Sequence, residues 1–325
     1  MSISDDTTKS TADSARMRLL FRATALIVFV LTLTANYLAL APASDVPLYE
    51  GTSSSFNQAH SELTPATVSH EGKNLVAFVA LGSKSSVAIV HHNINAHFLG
   101  WDCIVFVHKD ESEISPHDPM VKEIGSKCSI VRLPGLYWSH FLMTITPHLT
   151  QQYEYIAVVL DDLFAPVHGD SAVNMTKLLQ QMKQYNLSSI SPSIKGAVWP
   201  ATLPQEPCLW QVHLIETFFQ IFSRDLFNCW RSAMHFSNRQ GWCLDICLEE
   251  KLCPSISRLA VDATMIAYHV GNSGRVQDFV PESVLVGVNL SRTMNRRRTR
   301  GDMKLCERLN CSLEIPNSEQ LQCDP

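Results

Sequence analysis

Residues 153–162, YEYIAVVLDD, decide the fold because they combine a buried strand with two carboxylates at its end. Residues 155–160 form an uncharged run that is rich in β-branched and aromatic side chains. Continuous apolar runs of this length suit strands covered on both faces, as in a parallel sheet between helices. Asp161 and Asp162 therefore follow the carboxyl end of a strand, where open α/β sheets bind their ligands.

Apolar runs of the same kind lie upstream at residues 75–81 and 103–107, and a similar run at residues 129–133 contains Arg132. Residues 83–99 and 171–185 instead carry apolar side chains at three- and four-residue spacing, which predicts helices. Alternation of strands and helices over more than a hundred residues predicts an α/β fold, with a mostly parallel sheet flanked by helices.

The N-terminal region contains nineteen consecutive uncharged residues, 23–41. As a helix this segment would be about 28 Å long, close to the thickness of a bilayer's hydrocarbon core. Arg16, Arg18 and Arg22 precede it, so the positive-inside rule places the N-terminus in the cytosol. The alternative is a signal peptide cleaved at the small residues 41–43, which would release the remainder as a secreted protein.

The expected organisation follows from these changes in composition. It comprises a cytosolic tail (1–22), a transmembrane signal anchor (23–41), a flexible stem (42–72), a lumenal α/β domain (73–290) and a basic, cysteine-containing tail (291–325). The stem is rich in Ser, Thr and Pro and lacks apolar periodicity, as expected for a disordered linker.

Two features after the hydrophobic segment fit a lumenal location. Four Asn-x-Ser/Thr sequons are candidate glycosylation sites: Asn174, Asn186, Asn289 and Asn310. All ten cysteines also follow the segment, and an even number suits disulfide pairing in an oxidising compartment. Sequons also arise by chance, and free cysteines are ordinary small core residues. The pairing stays open, although Cys306 and Cys311 are close enough to form a small loop.

Composition and motifs exclude several function classes. The formal net charge of −5 excludes nucleic-acid binding through bulk positive charge. The chain contains neither a Walker loop nor a Gly-x-Ser-x-Gly elbow, so kinase and hydrolase interpretations lack their signatures.

A candidate metal site combines the carboxylates Asp161 and Asp162 with a distant histidine. Residues 259–271, LAVDATMIAYHVG, read as a strand that contains Asp262 and places His269 near its end. Carboxylate oxygens and a neutral imidazole can together bind Mn²⁺ or a similar divalent cation. The alternatives are that the acids simply end the strand and that His269 is a hydrogen-bonded core residue.

A candidate catalytic residue is Asp245, in the sequence GWCLD at residues 241–245. A carboxylate here can act as a general base that deprotonates an acceptor hydroxyl. Its alternative role is to interact with the dipole of a following helix.

The chain from about residue 74 to 274 resembles the domain of unknown function 707 proteins, a family best known from plants. Four blocks carry the resemblance: YEYIAVVLDDL (153–163), FFQIFSRDLFNCW (218–230), GWCLD (241–245) and AVDATMIAYHVG (260–271). That family is similar to nucleotide-diphospho-sugar transferases of the GT-A type. The resemblance therefore implies a Rossmann-like GT-A fold for residues 73–290, anchored by a single type II span in the Golgi or endoplasmic reticulum membrane.

The resemblance also implies roles for individual residues. Asp162 and His269 would bind Mn²⁺ or another divalent cation, with Asp161 beside them. Trp242 would bind substrate, and Asp245 would deprotonate the acceptor. The implied partners are a nucleotide-sugar donor and a glycan or other hydroxyl acceptor, and whether the reaction inverts or retains configuration stays open.

The sequence departs from the family pattern at two positions. Plant members have Asp-Glu-Asp where this chain has Leu160, Asp161 and Asp162, so the first carboxylate is absent. Cys243 replaces a glycine of the family's Gly-Trp-Gly-Leu-Asp motif. These departures leave a second hypothesis, in which a transferase-like domain has lost catalysis and serves as a lumenal binding or assembly protein.

Overall fold

The computed structural model describes residues 72–196, 206–235, 241, 243–270, 311 and 319–323. The predicted cytosolic tail, membrane anchor and nearly all of the stem lie outside these residues. None of the helices in the described part of the chain is long and apolar enough to cross a membrane.

One ten-stranded sheet organises the described residues. Its strands are β1 (Lys73–Leu81), β2 (Asp102–Val107), β3 (Ser129–Arg132), β4 (Tyr153–Leu160), β5 (Leu163–Phe164), β6 (Ser189–Lys195), β7 (Cys208–Val212), β8 (Phe219–Ser223), β9 (Leu259–His269) and β10 (Glu319–Cys323). Their order is β10-β7-β9-β6-β8-β4-β1-β2-β3, and the short β5 pairs with β9.

Seven of these strands run in one direction, and β5, β7 and β8 run in the other. The four N-terminal strands are all mutually parallel, in the order β3-β2-β1-β4. The predictions of an α/β fold and of a mostly parallel sheet are therefore confirmed.

Six α-helices accompany the sheet in the described part of the chain. They are α1 (Lys84–His97), α2 (Pro119–Lys127), α3 (Trp138–Thr144), α4 (Pro147–Thr150), α5 (Met175–Gln184) and α6 (Arg224–Ser232), and a π-helical turn spans Leu248–Leu252. The predicted helix at 83–99 is present as α1, which Ser83 caps. The predicted helix at 171–185 begins later, because the Asn174 side chain caps α5 by accepting from the Lys177 amide.

Both faces of the sheet are buried, which explains the continuous apolar runs. In β1, Val76 and Phe78 point into one hydrophobic layer, whereas Leu75, Ala77 and Val79 point into the other. Helices α1, α2 and α5 cover the first layer, and α3 and α6 cover the second. Because β1 to β4 are parallel, their carboxyl ends lie at the same edge of the sheet.

Disulfide bonds connect distant parts of this fold. Four pairs are Cys103–Cys128, Cys208–Cys323, Cys229–Cys253 and Cys247–Cys311. Cys243 is also disulfide-bonded, and none of the described cysteines is free. The pairing of cysteines is thus confirmed. The suggested bond between Cys306 and Cys311 is wrong, because Cys311 bonds to Cys247. Two of these bonds fasten residues of the C-terminal tail to the sheet region.

Candidate functional site

The candidate site lies where β4 ends and β5 turns onto β9. Directly after β4 the chain passes through Asp161 and Asp162 and enters β5, whose Leu163 pairs with His269. The Asp162 carbonyl accepts a hydrogen bond from the Val270 amide at 2.9 Å. These backbone contacts bring the Asp162 Oδ2 atom to 3.1 Å from the Nε2 atom of His269. The expected approach of these two side chains is therefore present.

The surroundings of this pair fit a divalent cation. Asp162 Oδ1 is buried and has no hydrogen-bond partner in the described structure, which is costly for a carboxylate oxygen. The His269 side chain is only 7% exposed, and its ring packs against Phe218 with centroids 4.5 Å apart. Adjacent ligands of an octahedral ion with bonds of ~2.1 Å are about 3 Å apart, similar to the Asp162–His269 separation.

Asp161 faces a different part of the molecule. Its Oδ2 atom accepts a hydrogen bond from the Gly82 amide at 3.0 Å, in the turn between β1 and α1. Burial raises the pKa of Asp161, the charge of Asp162 adds to this effect, and hydrogen bonds from Ser86 and Gly82 oppose it. Among the described residues, no three His, Cys, Asp or Glu side chains converge as a metal-binding group. Two of the three predicted ligands are brought together, and Asp161 instead supports the neighbouring turn.

That turn is tightly enclosed. The His108 ring lies so close that a Cβ atom at Gly82 would approach its Cε1 atom to 2.1 Å. His108 Nδ1 also donates to the Ala80 carbonyl at 3.1 Å, and Ala80 has a φ of 71°, which is unusual for a residue other than glycine. His108 and Asp161 thus hold this turn from the two neighbouring strands.

Asp245 lies in a buried turn beside a second acid. It is 8% exposed, and its Oδ1 atom accepts from the Ile246 amide at 2.9 Å. Burial raises the pKa of Asp245 to about 7, the charge of Glu216 adds to the increase, and the Ile246 hydrogen bond opposes it. The amphipathic stretch that follows forms the π-helical turn Leu248–Leu252.

Glu216 is this second acid, and it lies at the same edge of the sheet as Asp162. It is buried and precedes β8, whose Phe219 pairs with Val159 near the end of β4. The Phe218 carbonyl accepts from the Leu160 amide at 2.8 Å, and the Phe218 ring contacts His269. The segment that contains Glu216 and Phe218 therefore links the Asp162–His269 pair to Asp245.

The backbone of the GWCLD segment explains why small residues are favoured there. Gly241 has a φ of 71°, and a Cβ atom would approach the Trp138 ring to 2.1 Å. Cys243 has a φ of 73°, in the left-handed region that favours glycine. Disulfides at Cys243 and Cys247 bracket Asp245 and hold this turn. Trp242, the predicted substrate-binding residue, lies outside the described residues.

Asp262, the acid inside the predicted strand at 259–271, forms hydrogen bonds within the fold. It is fully buried in β9 and accepts hydrogen bonds from Gln181 at 2.8 Å and from the Thr264 amide at 2.9 Å. These contacts stabilise a register shift between β6 and β9. Asp262 therefore helps to shape the strand that carries His269.

Of the four candidate glycosylation sites, Asn174 and Asn186 belong to the described residues, and both are exposed. Asn174 caps α5 through its Oδ1 atom. Asn186 lies in a turn with a φ of 50°. Asn289 and Asn310 lie outside the described residues.

Sequence reasoning missed Glu216 and Phe218. The only signal for Glu216 was a single acid within the apolar stretch LIETFF at residues 214–219. An acid surrounded by buried residues must either lie at a strand end or have a polar partner. That signal could have identified Glu216 as a candidate without indicating Asp245 as its neighbour.

No protein-family model and no curated protein sequence matches this chain, so the resemblance to domain of unknown function 707 stays a prediction. Among solved structures, a crystal structure of GalNAc-T7 with UDP, GalNAc and Mn²⁺ matches with a TM-score of 0.46 and 10% identity, covering 74% of this chain and 55% of that one. The mannosyltransferase PcManGT from Pyrobaculum calidifontis, in complex with GDP-Man and Mn²⁺, matches with a TM-score of 0.44 and 12% identity, covering 63% and 59%. This chain spans less than two thirds of the length of each. The case for a function therefore comes from the site itself.

Proposed function

We propose that this protein transfers a sugar from a nucleoside-diphosphate donor to a hydroxyl acceptor with the assistance of a divalent cation such as Mn²⁺. The observation that carries the proposal is the 3.1 Å approach of Asp162 and His269, which are 107 residues apart in the chain. This pair lies at the carboxyl edge of a mostly parallel sheet, where α/β enzymes bind nucleotide ligands.

Asp162 and His269 would hold the cation, and the unpartnered Asp162 Oδ1 atom offers a further ligand oxygen. When bound, such a cation supplies positive charge that stabilises the departing diphosphate. Phe218 restricts the His269 ring, and the pairing of β5 with β9 fixes the Asp162 backbone. The protein thus preorganises the two ligands before the donor binds.

Asp245 is proposed to act on the acceptor. The acceptor oxygen attacks the anomeric carbon, the bond from that carbon to the diphosphate breaks with its electron pair leaving on the diphosphate, and the acceptor proton passes to Asp245. A carboxylate with a pKa of about 7 suits this step, because a general base is most effective when its pKa is near the working pH. A single displacement of this kind inverts the anomeric configuration. Trp242 is proposed to contact the acceptor.

We further propose that residues 23–41 anchor the chain as a type II membrane protein of the Golgi or endoplasmic reticulum, with the sheet in the lumen. The paired cysteines support an oxidising compartment. The exposed side chains of Asn174 and Asn186 would be accessible to a glycosylating enzyme. Cleavage at residues 41–43 would give the same compartment with a secreted product.

The test is Mn²⁺-dependent release or transfer of sugar from a panel of UDP- and GDP-sugars by the full chain. Asp162→Asn should reduce this turnover at least a hundredfold while the circular dichroism spectrum stays unchanged. Asp102→Asn is the matched control, because Asp102 begins β2 at the opposite edge of the sheet. Wild-type turnover in the Asp162 variant would contradict the proposal.

A second candidate function is a lumenal binding or assembly protein without catalysis. The observation that favours it is the hydrogen bond from Gly82 to Asp161, which turns the second carboxylate toward the β1–α1 turn. Calorimetric titration with Mn²⁺ and UDP or GDP separates the two functions. Heat of binding supports the transferase, whereas its absence across both nucleotides supports the binding protein.

A further inference from the structure

Asn93 makes an unusual contact with the segment that follows Asp162. It lies in α1 and is fully buried. Its Nδ2 atom donates to the Leu163 carbonyl at 2.6 Å, and its Oδ1 atom accepts from the Ala165 amide at 3.2 Å. A carboxamide presents a donor and an acceptor side by side, as a peptide group does. The Asn93 side chain therefore occupies the place that a neighbouring strand would have beside β5.

β5 depends on this contact for its position. It contains two residues, and Leu163 and Phe164 pair with His269 and Tyr268 of β9 along one side. Asn93 contacts the segment from another side, 70 residues away in sequence from Leu163. Asp162 directly precedes Leu163, while His269 lies opposite it. The position of β5 therefore determines the separation between the Asp162 carboxylate and the His269 ring.

Two histidines of α1 reinforce the same segment. The Nε2 atoms of His92 and His97 donate to the Ala165 carbonyl at 3.0 and 2.8 Å. The His92 ring also stacks on Phe164 with centroids 4.7 Å apart. Of the three α1 side chains, Asn93 alone bonds to groups on both sides of Phe164. Asn93 is consequently the one of these three side chains that bonds to two different residues of the β5 segment.

We propose that Asn93 is a positioning residue that fixes Asp162 against His269 by acting as an additional backbone partner of β5. The assignment of the pair as a cation site rests on the proposed function, whereas the effect of Asn93 on its geometry does not. An apolar side chain of similar size would fill the same space but leave the Leu163 carbonyl and the Ala165 amide without partners. The requirement is thus for directed hydrogen bonds rather than for volume.

The main test compares Asn93→Asp with Gln220→Glu in the full chain. Each substitution converts a fully buried carboxamide into a carboxyl group, and Gln220 bonds to Ser189 rather than to β5. An ionised carboxylate in Asn93→Asp cannot donate to the Leu163 carbonyl, and Asn93→Ala can make neither hydrogen bond, so each should weaken binding of Mn²⁺ alone at least tenfold. Gln220→Glu should keep the dissociation constant within twofold of wild type, even though both substitutions lower the thermal midpoint.

A second readout does not require the cation. The ¹⁵N shift of the His269 Nε2 atom reports its hydrogen bond to Asp162, and Asn93→Asp should change it while Gln220→Glu leaves it unchanged. Asn93→Ala removes both hydrogen bonds to the β5 segment without adding a charge and should also change the signal, which keeps the test decisive if Asn93→Asp does not fold.

The outcomes separate this inference from the proposed function. If wild-type protein binds no Mn²⁺, the proposed function fails, and the His269 signal alone decides the role of Asn93. A wild-type His269 signal in folded Asn93→Ala, or in folded Asn93→Asp with its carboxyl group ionised, overturns the inference. Where Asn93→Asp does not fold, a wild-type signal in Asn93→Ala overturns it instead.

Discussion

Two acidic clusters lie at the carboxyl edge of the sheet, and their surroundings differ. Asp162 is partly exposed and faces the imidazole of His269, whereas Asp245 is buried and lies within the electrostatic influence of Glu216. A carboxylate beside an imidazole offers two ligands to a cation. A carboxylate beside another acid holds its proton more tightly, because ionising both groups is costly. The same residue type therefore suits cation binding in one cluster and proton transfer in the other.

Replacing the predicted base should have the largest effect. Asp245→Asn removes the proton acceptor and should lower kcat about 10²–10⁴-fold, the range for loss of general base catalysis. Donor KM and Mn²⁺ affinity should stay within twofold, because the cation cluster is unchanged. Steady-state kinetics check this, with Asp225→Asn on the exposed start of α6 as the control. A wild-type kcat would remove Asp245 from the mechanism.

Replacing the histidine should affect the other cluster selectively. His269→Asn should raise the Mn²⁺ concentration required for half-maximal turnover by more than tenfold, because one of the two proposed ligands of the cation is lost. The matched control is His213→Asn, since His213 also contacts a carboxylate, Glu249, at 2.6 Å. An equal response of the two variants would show that any histidine–carboxylate pair has this effect, and the assignment of the His269 cluster would be wrong.

The pH dependence distinguishes the clusters further. Asp245 must be ionised to accept a proton, so kcat should fall as the pH decreases through about 7 and should level off above it. Glu216→Gln removes the charge that helps to raise the pKa of Asp245, and the profile should therefore move to lower pH. Glu249→Gln should leave the profile in place. A profile that does not move in Glu216→Gln would contradict the electrostatic link.

The same raised pKa predicts an effect on stability with a defined sign. With its pKa raised to about 7 by burial, Asp245 should keep its proton in the native state between pH 4 and 7, whereas an unfolded aspartate loses it near pH 4. The free energy of unfolding should therefore decrease as the pH rises through this window. Asp245→Asn removes the penalty, so its urea midpoint should exceed that of wild type at pH 8 by more than at pH 5. An equal difference at both values would refute the raised pKa.

The fold could be predicted from the sequence because strands that are buried on both faces consist of continuous apolar runs. Residues 155–160, which form most of β4, carry no charge, and such runs suit few structures other than central parallel strands. The proximity of Asp162 and His269 could be predicted for a related reason. Both follow or end strands that run in the same direction, so both reach the same edge of the sheet.

Other parts of the site depend on contacts that leave no local pattern. Asp161 could not be placed, because its orientation depends on the Gly82 amide, 79 residues away in sequence. The position of Glu216 relative to Asp245 depends on the pairing of β8 with β4, which the local sequence does not indicate. Asn93 resembles any polar residue of an amphipathic helix until its bonds to β5 are seen. The partner of Cys311 could not be derived either, because spacing does not determine disulfide connectivity.

The most direct measurement of the central claim is electron spin-echo spectroscopy of Mn²⁺ bound to the full chain with UDP. We expect modulation from a histidine nitrogen in wild type and in His213→Asn, and its loss in His269→Asn. Nitrogen modulation that persists in His269→Asn, or a failure of wild type to bind Mn²⁺, would contradict a cation site formed by Asp162 and His269.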